Sequence, residues 1–169
     1  GRLLLAVSFA ETPRAVRGEI RLFGRGHGPR TAGSSGRAFT LPSQAGLRSR
    51  AGSAGSANNR VTRGAAAYKA HHADGVIGLG GGAALDVAKA VALMATHEGD
   101  VLEYAWDHPK VRAIERELPW FVALPTTAGT GSEVGRSSVL SDDTTHIKKI
   151  IFSPKLLAKR ALSEGWWRI

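Results

Sequence analysis

The apolar run Val76-Ile77-Gly78-Leu79 stops at three consecutive glycines, Gly80, Gly81 and Gly82, and beyond them the hydrophobic period changes. Ala84, Leu85, Ala88, Val91, Ala92 and Ala95 recur at steps of three and four, one apolar stripe of a helix, with Asp86 and Lys89 falling between its members. The order predicted is strand, tight turn, helix. A second apolar run, residues 119–124 (Pro-Trp-Phe-Val-Ala-Leu), predicts a second buried strand and leads into residues 125–134, rich in Thr, Ser and Gly. Val139-Leu140, Asp142-Asp143 and then 147–152 read as a hairpin with Lys148 and Lys149 at the head of its second strand. Upstream, the alanine-rich residues 64–73 predict a helix closed by Asp74-Gly75, with the adjacent His71 and His72 on different faces. Residues 101–116, interrupted by Pro109, read as a polar connection with some helical character.

Strands separated by a helix make the fold class α/β with a parallel sheet. Both glycine- or hydroxyl-rich loops then follow strands, at the carboxyl ends where open α/β sheets take their ligands. Gly80, Gly81 and Gly82 let a bulky anion approach the backbone, and the helix behind them aims free N–H groups at the same place, so a phosphate is the expected guest. Asp86 has two readings, a carboxylate favoured by the dipole of the first helical turn and a ligand-binding group. Thr126, Thr127, Thr130 and Ser132 offer hydroxyl donors, although such residues also stabilise turns without any ligand.

Charge divides the 169 residues unevenly. Residues 1–63 hold eleven Arg, no Lys and two acids, a net of 11 − 2 = +9, whereas residues 64–169 hold twelve bases and twelve acids. The first part is dominated by Gly, Ser, Arg and Ala, its apolar clusters are confined to 3–7 and 20–23, and it reads as a basic low-complexity segment too poor in buriable surface to order itself. An arginine-rich arm could neutralise nucleic-acid phosphates, but no aromatic residues are interleaved for base stacking, which weighs against that role. The absence of cysteine excludes disulfides, thiolate nucleophiles and sulfur-ligated zinc and fits a reducing cytoplasm. No apolar run approaches a membrane span, and residues 3–10 lack the cleavage site of a secretion signal. His97, His108 and His146 show no ligand spacing.

Residues 80–89 (GGGAALDVAK) resemble the GGGSxxDxAK signature of the iron-dependent alcohol dehydrogenases, and residues 125–134 (PTTAGTGSEV) are similar to that family's PTTxGTGSEV segment. Residues 148–157 resemble the stretch that follows, so the likeness covers about 61–160. The resemblance implies a partial Rossmann-like nucleotide-binding domain over 64–160, followed by a divergent tail at 161–169. It implies NAD or NADP as cofactor and a small alcohol or aldehyde as substrate, with the choice of nicotinamide cofactor and of any homo-oligomer left open. By motif match, Gly81, Gly82 and Ala83 lie along the pyrophosphate, Thr126, Thr127 and Thr130 along the adenosine and phosphate side, Gly80 and Asp86 belong to the same cofactor-binding signature, and Lys148 lies near the nicotinamide ribose. Ala83 stands where the family has serine, which removes a hydroxyl but keeps the N–H, so weaker binding is expected rather than none. The ferrous ion implied by the resemblance is held in the family by an Asp and three His of a helical domain that this sequence lacks, so the expectation is a fragment or disrupted reading with little turnover of its own. Two alternatives remain at this point, a glycerol dehydrogenase or dehydroquinate synthase relative, and a non-catalytic nucleic-acid-binding protein.

Overall fold

The structure, a computed structural model, describes residues 3–7 and 57–162. Its elements are β1 (Leu3–Val7), α1 (Ala57–Ala70), β2 (Gly75–Gly80), α2 (Gly82–Thr96), β3 (Trp120–Pro125), β4 (Ser137–Ser141), β5 (Lys148–Phe152) and β6 (Arg160–Ala161). Four strands form a parallel sheet in the order β1-β2-β3-β6, and β4 and β5 form a separate antiparallel hairpin. The predicted strand, turn and helix is therefore a βαβ unit: β2 and β3 lie side by side, Gly75 opposite Trp120 and Gly80 opposite Pro125, with α2 as the crossover.

Several boundaries differ from expectation. The alanine-rich helix begins at Ala57 and ends at Ala70, and its exit is made by His72 in a left-handed conformation (φ 47°) rather than by Gly75, which already belongs to β2. A strand runs over Leu3–Val7 and pairs in register with Gly75–Leu79, so residues 1–63 do contribute an edge to the sheet. Arg160 and Ala161 pair with Val122 and Ala123, carrying the sheet past residue 160. The remainder of 1–63, with its arginine-rich stretch, and residues 163–169 lie outside the described residues.

Helix α2 is the centre of the fold. The face carrying Leu85, Ala88, Val91 and Ala92 packs on Val76, Phe121 and Ala123 of the sheet. Its opposite side, through Ala90, Leu93 and Met94, packs on Val61 and Ala65 of α1 and on Leu140 and Ile151 of the hairpin. A helix covered on both sides has no solvent face, which explains the six alanines between Ala83 and Ala95 and the burial of Asp86 and Lys89, both off the predicted stripe. Contact with the sheet is close enough that a Cβ on Gly78 would lie 2.9 Å from the Ala88 methyl and 3.0 Å from the Phe121 ring.

At the far end of α2 a buried histidine ties down the connection to β3. Arg116 N–H donates to His97 Nε2 at 3.3 Å, so Nδ1 carries the ring proton and gives it to the Leu93 carbonyl at 3.1 Å, with the Tyr104 ring edge-on at 5.7 Å. Burial holds the imidazole below its ordinary pKa; the Leu93 carbonyl pulls the other way, and the cations of Arg116, Lys155 and Arg112 reinforce the depression.

Two outcomes follow from this packing. Gly78→Ala should lower stability by about 1–3 kcal/mol, the usual cost of overpacking, read as a lower urea midpoint at unchanged m. For His97 the folded pKa lies below the unfolded value of about 6.5, so on acidification the unfolded chain takes up the proton first. The histidine's contribution is complete above about pH 6.5 and is lost as pH falls toward the folded pKa. Urea midpoints should therefore drop between about pH 7.5 and about pH 5.5, and His97→Asn should shrink that drop.

Candidate functional site

β2 and β3 end together, and the loops after them are joined: Thr126 N–H donates to the Gly80 carbonyl at 2.9 Å. Each of the three glycines has its own physical reason. Gly80 turns the chain off the strand at φ 142°, which a side chain resists. Gly81 is the N-cap of α2 in an extended conformation, and no side chain caps the helix. Gly82 begins the helix, where a Cβ would come within 2.7 Å of Thr130 Oγ1 and 2.8 Å of its methyl. Thr127 Oγ1 stands 3.1 Å from the corresponding position on Gly81.

The result is an open cradle. Leu85 and Ala84 N–H groups return to the Gly81 carbonyl, while helix geometry leaves Gly82 and Ala83 N–H without intrahelical acceptors. Ala83 is exposed, as are Thr126, Thr127 and Thr130 opposite it. Uncapped N–H groups, the positive end of a fifteen-residue helix and hydroxyl donors across the gap suit an anion with several oxygens. The donor set, backbone N–H groups at the head of α2 beside exposed threonine hydroxyls, has the chemistry that a diphosphate requires.

Asp86 is placed differently from expectation. It is the fifth residue of α2, past the first turn, and its carboxylate accepts the Ser132 hydroxyl rather than standing free at the cradle. Beside it Lys89, with 1% of its surface exposed, donates to the Gly135 carbonyl at 2.9 Å and the Ser137 carbonyl at 2.8 Å, with Asp86 Oδ1 at 4.0 Å. Ser138 completes the attachment by donating to the Asp86 carbonyl at 2.8 Å. Burial raises the Asp86 pKa, opposed by Ser132 and Lys89, and burial lowers that of Lys89, opposed by Asp86 and Glu133.

Sequence reasoning singled out Gly80, Gly81, Gly82, Ala83, Thr126, Thr127 and Thr130, and the structure brings these seven together. Lys148 is not among them: it is exposed, pairs with Ser141 at the turn end of the hairpin, and stands four residues, about 13 Å, along the strand from Ser137. The residues passed over are Lys89, Gly135, Ser137 and Ser138. Only Lys89 carried a signal, a lysine three residues after an aspartate within an otherwise apolar helix.

A parallel sheet with a glycine turn and a hydroxyl loop at its carboxyl edge is a nucleotide-binding α/β domain. Residues 55–164 match the model of the iron-containing alcohol dehydrogenases, and the chain belongs to that family. It is 41% identical over 88 residues to a choline dehydrogenase of Bacillus subtilis, covering 52% of this chain and 22% of that protein. Among solved structures it is similar to a 1,3-propanediol oxidoreductase (35% identity, TM-score 0.57, 63% of this chain and 27% of that one). A sulfoacetaldehyde reductase from Bifidobacterium kashiwanohense, solved in complex with NAD+, is also similar (32% identity, TM-score 0.51, 61% and 27%). The chain thus spans about a quarter of the length of these relatives. Among the described residues no three His, Cys, Asp or Glu side chains gather into a group able to hold a metal ion, so they do not fit an iron site.

The contact between Gly82 and Thr130 is directly testable. Gly82→Ala should destabilise the domain by about 1–3 kcal/mol. In a Thr130→Ala background, which removes the two nearest atoms, part of that loss should disappear, giving a coupling of about 0.5 kcal/mol or more in a denaturation double-mutant cycle.

Proposed function

We propose that this chain supplies part of the cofactor-binding domain of an NAD(P)-dependent alcohol dehydrogenase, which moves hydride between an alcohol or aldehyde and a nicotinamide. The observation that carries this reading is the cradle between the head of α2 and the threonine loop, bounded by the close approach of Gly82 to Thr130. The N–H groups of Gly81, Gly82 and Ala83 receive the diphosphate oxygens, and Thr126, Thr127 and Thr130 donate from the opposite wall. Nicotinamide, when bound, supplies the hydride chemistry, and the chain's own work is to fix where it stands. Lys148, at the distal end of the hairpin, would meet the ribose next to the nicotinamide and not the diphosphate. No helix among the described residues is long and apolar enough to cross a membrane, and this, with a cysteine-free sequence, supports a cytoplasmic setting.

The test is a fluorescence titration of the chain with NADH and NADPH, repeated with ADP-ribose as competitor. Saturable binding displaced by ADP-ribose is expected, since the diphosphate and adenosine carry the contacts. Absence of saturation up to about 1 mM, a binding energy of only about 4 kcal/mol, would overturn the reading.

A further inference from the structure

We infer that Lys89 and Asp86 are positioning residues that set the threonine loop over the glycine turn from inside the protein, and are not ligands of the cofactor. The inference rests on the dinucleotide reading above for its consequence, but the geometry that carries it is separate. Lys89 is buried in the middle of α2 and spends its donors on two main-chain carbonyls, Gly135 and Ser137, that flank Arg136. Asp86, one turn closer to the cradle, takes the hydroxyl of Ser132. These bonds fasten both ends of residues 132–137, the segment immediately after Thr130, to the same helix whose first turn forms the other wall of the cradle. Ser138 holds the strand that follows, through the Asp86 carbonyl.

An ammonium so buried and already bonded to two carbonyls has no reach to a diphosphate on the surface. Its removal leaves two carbonyls and a carboxylate without their cation, so residues 132–137 are released and Thr130 loses its fixed distance from Gly82. The segment's other ties include the Ser153 N–H, which donates to the Arg136 carbonyl at 3.1 Å, and the Arg136 guanidinium, 6.0 Å from the Phe152 ring centroid. Two turn bonds are its own, Val134 N–H to the Gly131 carbonyl and Gly135 N–H to the Ser132 carbonyl, and Val134 and Arg136 are exposed.

Arg136 makes the inference readable without any cofactor, because trypsin cuts after it. In the full chain without dinucleotide, Lys89→Met should speed cleavage at Arg136 and raise amide hydrogen exchange over 126–137. It should also weaken NADH binding on the order of tenfold, what one lost charge-assisted hydrogen bond is worth. Ser132→Ala, which removes no buried charge, should do both to a smaller degree, and it decides the matter alone if Lys89→Met does not fold. Weakened NADH binding with exchange and cleavage unchanged would overturn the inference and make Lys89 a direct ligand. Faster exchange with NADH binding unchanged would overturn it too, since loop position would then be irrelevant. If the unsubstituted chain binds no dinucleotide, the proposed function fails, while cleavage at Arg136 and exchange still decide whether the pair holds the loop.

Discussion

One buried ammonium governs how the site is assembled. Lys89 sits where α2 is covered on both sides, and an unpaired charge there would be strongly destabilising, so its partners must come to it. They come from the end of the loop after Thr130 and the first residue of β4, the carbonyls of Gly135 and Ser137. The requirement of the lysine and that of the loop are met by the same two bonds. The loop thereby acquires a position set by the helix, not by its own glycine-rich backbone.

The glycine turn is constrained from the same helix in a different way. Gly78 lets α2 lie against the sheet, and Gly82 lets the threonine loop close over its first turn. The first concerns packing between a helix and a strand, the second the shape of a cleft. Both depend on absent methyl groups, and both fall within five residues of sequence. The turn is therefore narrow in its tolerance and open only on the side where N–H groups point outward.

Relatives of this chain, such as the propanediol oxidoreductase and the sulfoacetaldehyde reductase, are about four times as long as the part it shares with them. Within that shared part, uncapped N–H groups at the head of α2 stand beside a threonine loop, and a group of metal-ligating side chains is not found among the described residues. The division of labour is physical: anions are bound by backbone at helix and strand ends, whereas a metal needs several side chains converging from elements well separated in the chain.

Periodicity alone determined the central βαβ unit and the hairpin, because alternating and helical burial leave their own repeat in the order of residues. The three glycines and the threonines were legible for a similar reason, since turns and anion sites draw on few residue types. Tertiary structure decided the rest. That Asp86 faces Ser132 and Lys89 faces two carbonyls near Arg136 depends on a hairpin folding back across α2 from some fifty residues away, a pairing no local pattern encodes. The edge strand Leu3–Val7 escaped notice because a parallel strand's partner lies beyond a long connection, and five apolar residues in a basic, glycine-rich setting carry no sign of where they will pair. Lys148 was placed by likeness to a motif. Its distance from the cradle comes from strand register, which only the folded hairpin defines.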